Sequence, residues 1–116
     1  MTLAISAAMV ELYARVYEHD RTTATTYIND KIVVCVLENI LTVGEDALVA
    51  QGQRGTVIDE RVTFQTDTED DFTAAVEELT GQQVVAFLSA NQTTPGVACE
   101  IFFLDAAPDQ SEREPA

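Results

Sequence analysis

Ile32-Val33-Val34-Cys35-Val36-Leu37 is a run without a charge, set between Asn29-Asp30-Lys31 and Glu38. Its β-branched side chains suit a pleated surface and lose rotamer freedom in a helix, so the run predicts a strand. It shows no polar alternation, which predicts that both faces are covered, by helices or by a second subunit. The Asn-Asp-Lys segment supplies turn formers, and the Thr- and Tyr-bearing Ala24–Asn29 ahead of it reads as the hairpin partner.

The remaining elements arrange themselves around that hairpin. From Leu3 to about His19, Ile5, Ala8, Met9, Leu12 and Val16 recur at helical spacing, and Leu3, Val10, Tyr13 and Tyr17 widen the apolar face beyond one stripe. One part of that face is expected on the sheet. The surplus, with Met9 and Tyr13, is either embedded in the fold or free to meet a second copy in a homodimer. Thr42-Val43-Gly44-Glu45 has capping-box spacing and opens a helix that ends between Gln51 and Gly55. Thr56–Thr80 carries Val57, Arg61, Phe64, Phe72 and Leu79 along one line, the pattern of a longer helix stopped by Gly81. Its middle, TDTEDD at 66–71, is weak helix-forming sequence: either a solvated turn of one helix or a break capped by Thr68, with propensity favouring the continuous helix.

Gln83–Ser89 and Val97–Leu104 read as two further strands, joined by the Pro- and Gly-bearing loop 91–96. The order α-β-β-α-α-β-β predicts one α+β domain over residues 1–105, a four-stranded antiparallel or mixed sheet of two hairpins packed with helices. Residues 106–116 are polar and Pro-bearing, a disordered acidic tail.

Charge excludes several functions. Twenty acidic residues against five arginines and a single lysine leave a formal net charge of −14. Such a field repels phosphate, which argues against nucleic-acid binding and against anionic lipid surfaces. No segment is apolar for long enough to span a bilayer, and the apolar start lacks a basic leader and is interrupted by Glu11 and Arg15. The expectation is a soluble, cytoplasmic chain that does not insert into a membrane. Scarce lysine with abundant Asp, Glu and Thr suits a salt-filled cytoplasm, where molar salt shortens the screening length to about 3 Å and relieves self-repulsion.

No catalytic signature is present. His19 stands in Glu-His-Asp-Arg, where adjacent carboxylates on a helix point in different directions, and no G-x-S-x-G, H-E-x-x-H, C-x-x-C or phosphate loop occurs. No cofactor or metal is expected. Cys35 and Cys99 lie in apolar runs and read as buried free thiols. Glu100 interrupts the last strand; it either meets solvent there, the simpler reading, or is buried and needs a partner such as Arg15, Arg54 or Arg61. Asp30 and Asn91 end strands where side chains could converge on a ligand, although turn chemistry accounts for them equally well.

ISAAMVELYARVY, TYINDKIVVCVLENILT and DDFTAAVEELTGQQVVAFLSANQTTPGVACEIFFLD together resemble the MpsC-like domain family of bacteria and archaea, over roughly residues 4–105. VEELTG, then an apolar strand and S-x-N, is the most specific part. Arg21-Thr22-Thr23 replaces the family's Gly-Pro entry to the first strand, and acids replace many basic residues of its long helix. The resemblance implies a soluble accessory component linked by name to a sodium-translocating, membrane-potential-generating system, and it supplies no catalytic residues. Two functions follow as expectations: a non-enzymatic interaction module, homodimeric and partnered with a membrane protein complex, or a small-ligand or enzymatic domain with its site at the sheet ends.

The charge argument is checked by following the urea midpoint from dilute buffer to molar potassium chloride. The midpoint is expected to rise with salt, and a flat response would remove the case for a halophilic host.

Overall fold

The computed structural model describes residues 1–17 and 21–109. The elements are α1 (Thr2–Tyr17), β1 (Thr23–Asn29), β2 (Ile32–Glu38), α2 (Val43–Ala50), α3 (Arg54–Thr80), β3 (Val84–Thr93) and β4 (Gly96–Leu104). They form the α+β domain that the pattern predicts. Its sheet is wholly antiparallel, in the order β1-β2-β4-β3. The two apolar strands, one from each hairpin, therefore pair with each other at the centre, and the more polar β1 and β3 take the edges. His19 lies outside the described residues, and of the tail only residues 106–109 lie within them.

Several local expectations hold for identifiable reasons. Thr42 accepts a hydrogen bond from the Glu45 amide while the Glu45 carboxylate accepts one from the Thr42 amide, a complete capping box. Residues 54–80 form one helix through the acidic stretch. Thr63, Thr66 and Thr68 each donate the side-chain hydroxyl to the carbonyl four residues back, so Thr68 is satisfied inside the helix and does not cap a new one. Gly81 ends the helix at φ 70°, and its amide donates to the Glu77 carbonyl.

Two expectations change. Strand β3 runs on to Thr93, beyond Ser89, because Ala90, Asn91, Gln92 and Thr93 stay in register with Cys99, Ala98, Val97 and Gly96. Pairing along β4 overrides the low strand preference of Asn and Gln, and the connection shrinks to Thr94 and Pro95. Strand β2 is not covered on both sides. Across the register, Ile28, Val33, Phe102 and Phe87 form one row and Thr26, Cys35, Glu100 and Ser89 the next, all on the face where α1 and α3 pack. On that face Val33, Cys35 and Phe102 are fully buried, and they join Ile5, Met9, Val57, Phe72 and Val76 in one core. The alternate residues, Val34, Val36, Cys99 and Ile101, look away from the helices and are only half-buried. The connections bring both long helices to one side, so among the described residues the opposite face of the sheet is open.

Gly96 marks where the link after β2 crosses β4. A Cβ built there would sit 2.9 Å from Leu41 Cγ, a close approach that only glycine allows, and the Ile40 amide donates to the Gly96 carbonyl. Gly55, by contrast, is helical with open space around its α-carbon. Gly96→Ala is expected to cost about 1–3 kcal/mol through overpacking. Gly55→Ala is expected to add about 0.5–1 kcal/mol through helix propensity. Urea denaturation of the two variants reads both, and opposite signs are the outcome that the packing requires.

Candidate functional site

Arg61 is the largest fully buried side chain among the described residues and sits in the first third of α3. A guanidinium has five donors in a planar fork, and burying it without acceptors would be costly. The fold supplies them for Nε and Nη2 and leaves Nη1 buried without a hydrogen bond. Nε donates to Glu45 Oε2 at 2.7 Å, and Nη2 donates to Glu45 Oε1 and to the Ile40 carbonyl. The ring of Tyr17 lies against the guanidinium, its centroid 3.7 Å from Cζ. Burial alone would push the Glu45 carboxyl upward. The Arg61 hydrogen bonds and the Thr42 amide outweigh burial and hold it below its ordinary range. The capping-box acid of α2 thus serves twice, as cap and as counter-ion.

A second buried polar group lies on the covered face of the sheet. Glu100 is 1% exposed, and the Tyr13 hydroxyl donates to its Oε1 at 2.8 Å. The solvent-facing reading of Glu100 is thereby corrected. Its partner is a tyrosine from α1, because the packing puts Tyr13 over the sheet centre while Arg61 is engaged by Glu45. Burial raises the Glu100 carboxyl above its ordinary value, opposed by the neighbouring Ser89 and Tyr13 hydroxyls. Oε2 and Ser89 Oγ are buried without a well-formed hydrogen bond. Burial likewise raises the Tyr13 hydroxyl, with the Glu100 charge adding to the effect.

The residues singled out from the sequence are not brought together. Asp30 occupies the β1–β2 turn at φ 55°, at one end of the sheet. Asn91 lies towards the other end, and Glu100 lies between them beneath the helices. Met9 and Tyr13 are 0% and 2% exposed, so the apolar surplus of α1 that they were expected to offer a partner is spent inside the chain's own core. Cys35 and Cys99 are both free. They sit on adjacent strands but on opposite faces, since Cys35 pairs with Glu100 and Cys99 with Val36. Burial pushes the Cys35 thiol up to about 12.

Two surfaces remain for function. A cleft of about 460 Å³ at the β3–β4 end is lined by Arg54, Ile58, Asn91 and Thr93, and the Asn91 side-chain oxygen is buried there without a hydrogen bond. The other surface is the open sheet face. Tyr27, Val34, Ile101 and Leu88 form one row across it, and Thr25, Val36, Cys99 and Ala90 the next. Tyr27 and Leu88 are 59% and 57% exposed. The missing polar alternation of β2 was the sequence signal for this face. It marked apolar residues on both sides of the strand and could not say which side the helices would leave bare.

A family model described as "Na+-translocating membrane potential-generating system (MpsC)" matches residues 1–106. No curated protein and no solved structure matches the chain.

The half-buried Glu45 and the buried Glu100 oppose one another in pH. Glu45 is depressed in the folded state, so its stabilisation is complete above the ordinary carboxylate range and is lost as pH falls through the depressed value. Glu100 is raised, so its burial costs nothing below the ordinary range, and the cost grows as pH rises towards the raised value. Glu100→Gln keeps an acceptor for Tyr13 and removes the charge. It is expected to exceed the parent in stability at neutral pH, with the difference vanishing below about pH 4. Arg61→Ala is expected to lose about 2–5 kcal/mol at neutral pH through the cavity left by a fully buried side chain, with loss of the Glu45 ion pair adding to it. Urea titrations at several pH values measure both.

Proposed function

Because the chain belongs to the MpsC family, we propose that it is a non-catalytic accessory module of a sodium-translocating membrane system and acts by binding other proteins, itself included. The observation that carries this reading is the open sheet face: a chain of net charge −14 keeps a broad apolar surface outside its core. Exposed apolar patches of this kind on small domains serve as interaction sites. No helix among the described residues is long and apolar enough to cross a membrane. Contact with membrane subunits would bring such a module to the system that the family is named for. The two acids that face the helical layer are accounted for as packing: Glu45 holds Arg61, and Glu100 accepts from Tyr13.

One observation favours a second reading, a small-ligand site. The cleft at the β3–β4 end sets Arg54 beside the unpartnered Asn91 oxygen at the start of α3, an arrangement suited to a small anion with a hydrogen-bond donor.

Affinity capture of the tagged full chain from detergent-solubilised host membranes, in molar potassium chloride, separates the readings. Integral membrane proteins are expected in the eluate, and their absence would overturn the membrane association. In parallel, millimolar phosphate or small carboxylates are expected to leave the thermal midpoint unmoved. A rise that disappears in Arg54→Ala would install the ligand site in place of the interaction reading.

A further inference from the structure

We propose that the open face of the sheet is the seam of a homodimer, in which two copies pack sheet to sheet about a two-fold axis with Cys99 of each near its centre. The proposal rests on the interaction-module reading and names the partner, a second copy of this chain. Its first support is charge. Of the four rows across this face, from the Ile32–Phe103–Ala86 row to the Thr23–Glu38–Val97–Gln92 row, Glu38 is the single acid and there is no basic residue. The outward side of α3 instead carries Asp59, Glu60, Asp67, Glu69, Asp70 and Asp71, all exposed. Two chains of net charge −14 can approach closely only where neither presents charge, and this face meets that condition on both partners at once.

Area is the second support. Strands about 4.8 Å apart and rows about 6.8 Å apart give the face a planar footprint of roughly 500 Å². Two such faces reach about 1,000 Å², the size at which a well-packed interface becomes specific, before interdigitation of side chains adds to it. Among the described residues, four of the eight large hydrophobics left exposed are here: Tyr27, Ile32 and Leu88 on the strands and Val85 at the bulge between Val84 and Ala86. Antiparallel sheets with one apolar outer face pack on one another about 10 Å apart, as in β-sandwiches. The half-buried Val34, Val36, Cys99 and Ile101 would become the inner layer.

The two-fold axis makes a geometric demand. Cys99 lies on a central strand and in a central row, so an axis through the middle of the face sets the two Cys99 side chains about 5–7 Å apart along the sheet, whether the axis runs along or across the strands. Cys35, buried under the helices, cannot take part.

Sedimentation and thiol alkylation of the full chain test the seam. In molar potassium chloride at about 100 μM a dimer is expected, loosening as salt is withdrawn and the two acidic bodies repel. Leu88→Asp, at a position already exposed, is expected to weaken the dimer at least about tenfold while circular dichroism confirms an unchanged fold. Leu3→Asp on the exposed side of α1 is expected to leave it intact. Cys99 is expected to be alkylated by a maleimide slowly in the dimer and much faster in the Leu88→Asp variant. A monomer in molar salt would overturn the proposal. So would a dimer that survives Leu88→Asp and falls to Leu3→Asp, or one in which Cys99 is alkylated as fast as in the Leu88→Asp variant. A monomer that still captures membrane proteins defeats the seam alone, and a dimer that captures none defeats the membrane association alone.

Discussion

Arg61 is the side chain through which the helical layer is held in register. From the first third of α3 it reaches the capping acid of α2, the carbonyl of Ile40 just past β2, and the ring of Tyr17 at the end of α1. All three helices and the link after β2 therefore share one buried cation. Such a charge gives little net stability over a well-packed apolar residue, because desolvation consumes most of the attraction. What it does give is directionality: an apolar side chain in its place would tolerate sliding of α3, whereas a fork with three fixed acceptors does not. The Glu45 side chain, committed to the cap of α2 by Thr42, presents its oxygens to that fork in an orientation already set.

The sheet beneath this layer has two unlike faces. The covered one carries the core and a single buried acid, Glu100, which Tyr13 ties to α1. The open one is apolar in its central strands and almost free of charge, although acids dominate the rest of the chain. A four-stranded sheet needs only one covered face to be stable. The apolar content of the second face is thus more than folding requires, which is why function is sought there and not among the titrating groups that the packing has consumed.

Much of the fold was legible because local rules and tertiary packing agree. The β-branched run at 32–37 announced a central strand, Thr42 and Glu45 a helix start, and Gly81 a helix stop. The acidic stretch at 66–71 stayed helical because threonine hydroxyls found carbonyls one turn back, a local solution that the residue types permit. Less was legible about sites. Glu100 read most simply as solvent-facing since one polar residue in a strand usually is. Only the placement of Tyr13 over the sheet made burial acceptable.

The same division governs the chain as a whole. Composition alone determined its acidity, and periodicity determined the order of elements and which residues are apolar enough to be hidden. These are properties of residues and their near neighbours, so a linear string carries them. Which side of β2 the helices would cover, which strands would meet at the centre, and which cation would face which acid depend on contacts between segments tens of residues apart. Arg61 with Glu45, Tyr13 with Glu100, and Cys99 on the face away from Cys35 are decisions of that kind. Tertiary structure made them because a pleated strand presents two faces that its sequence makes equally apolar, and only the path of the connecting helices selects the one that becomes the core.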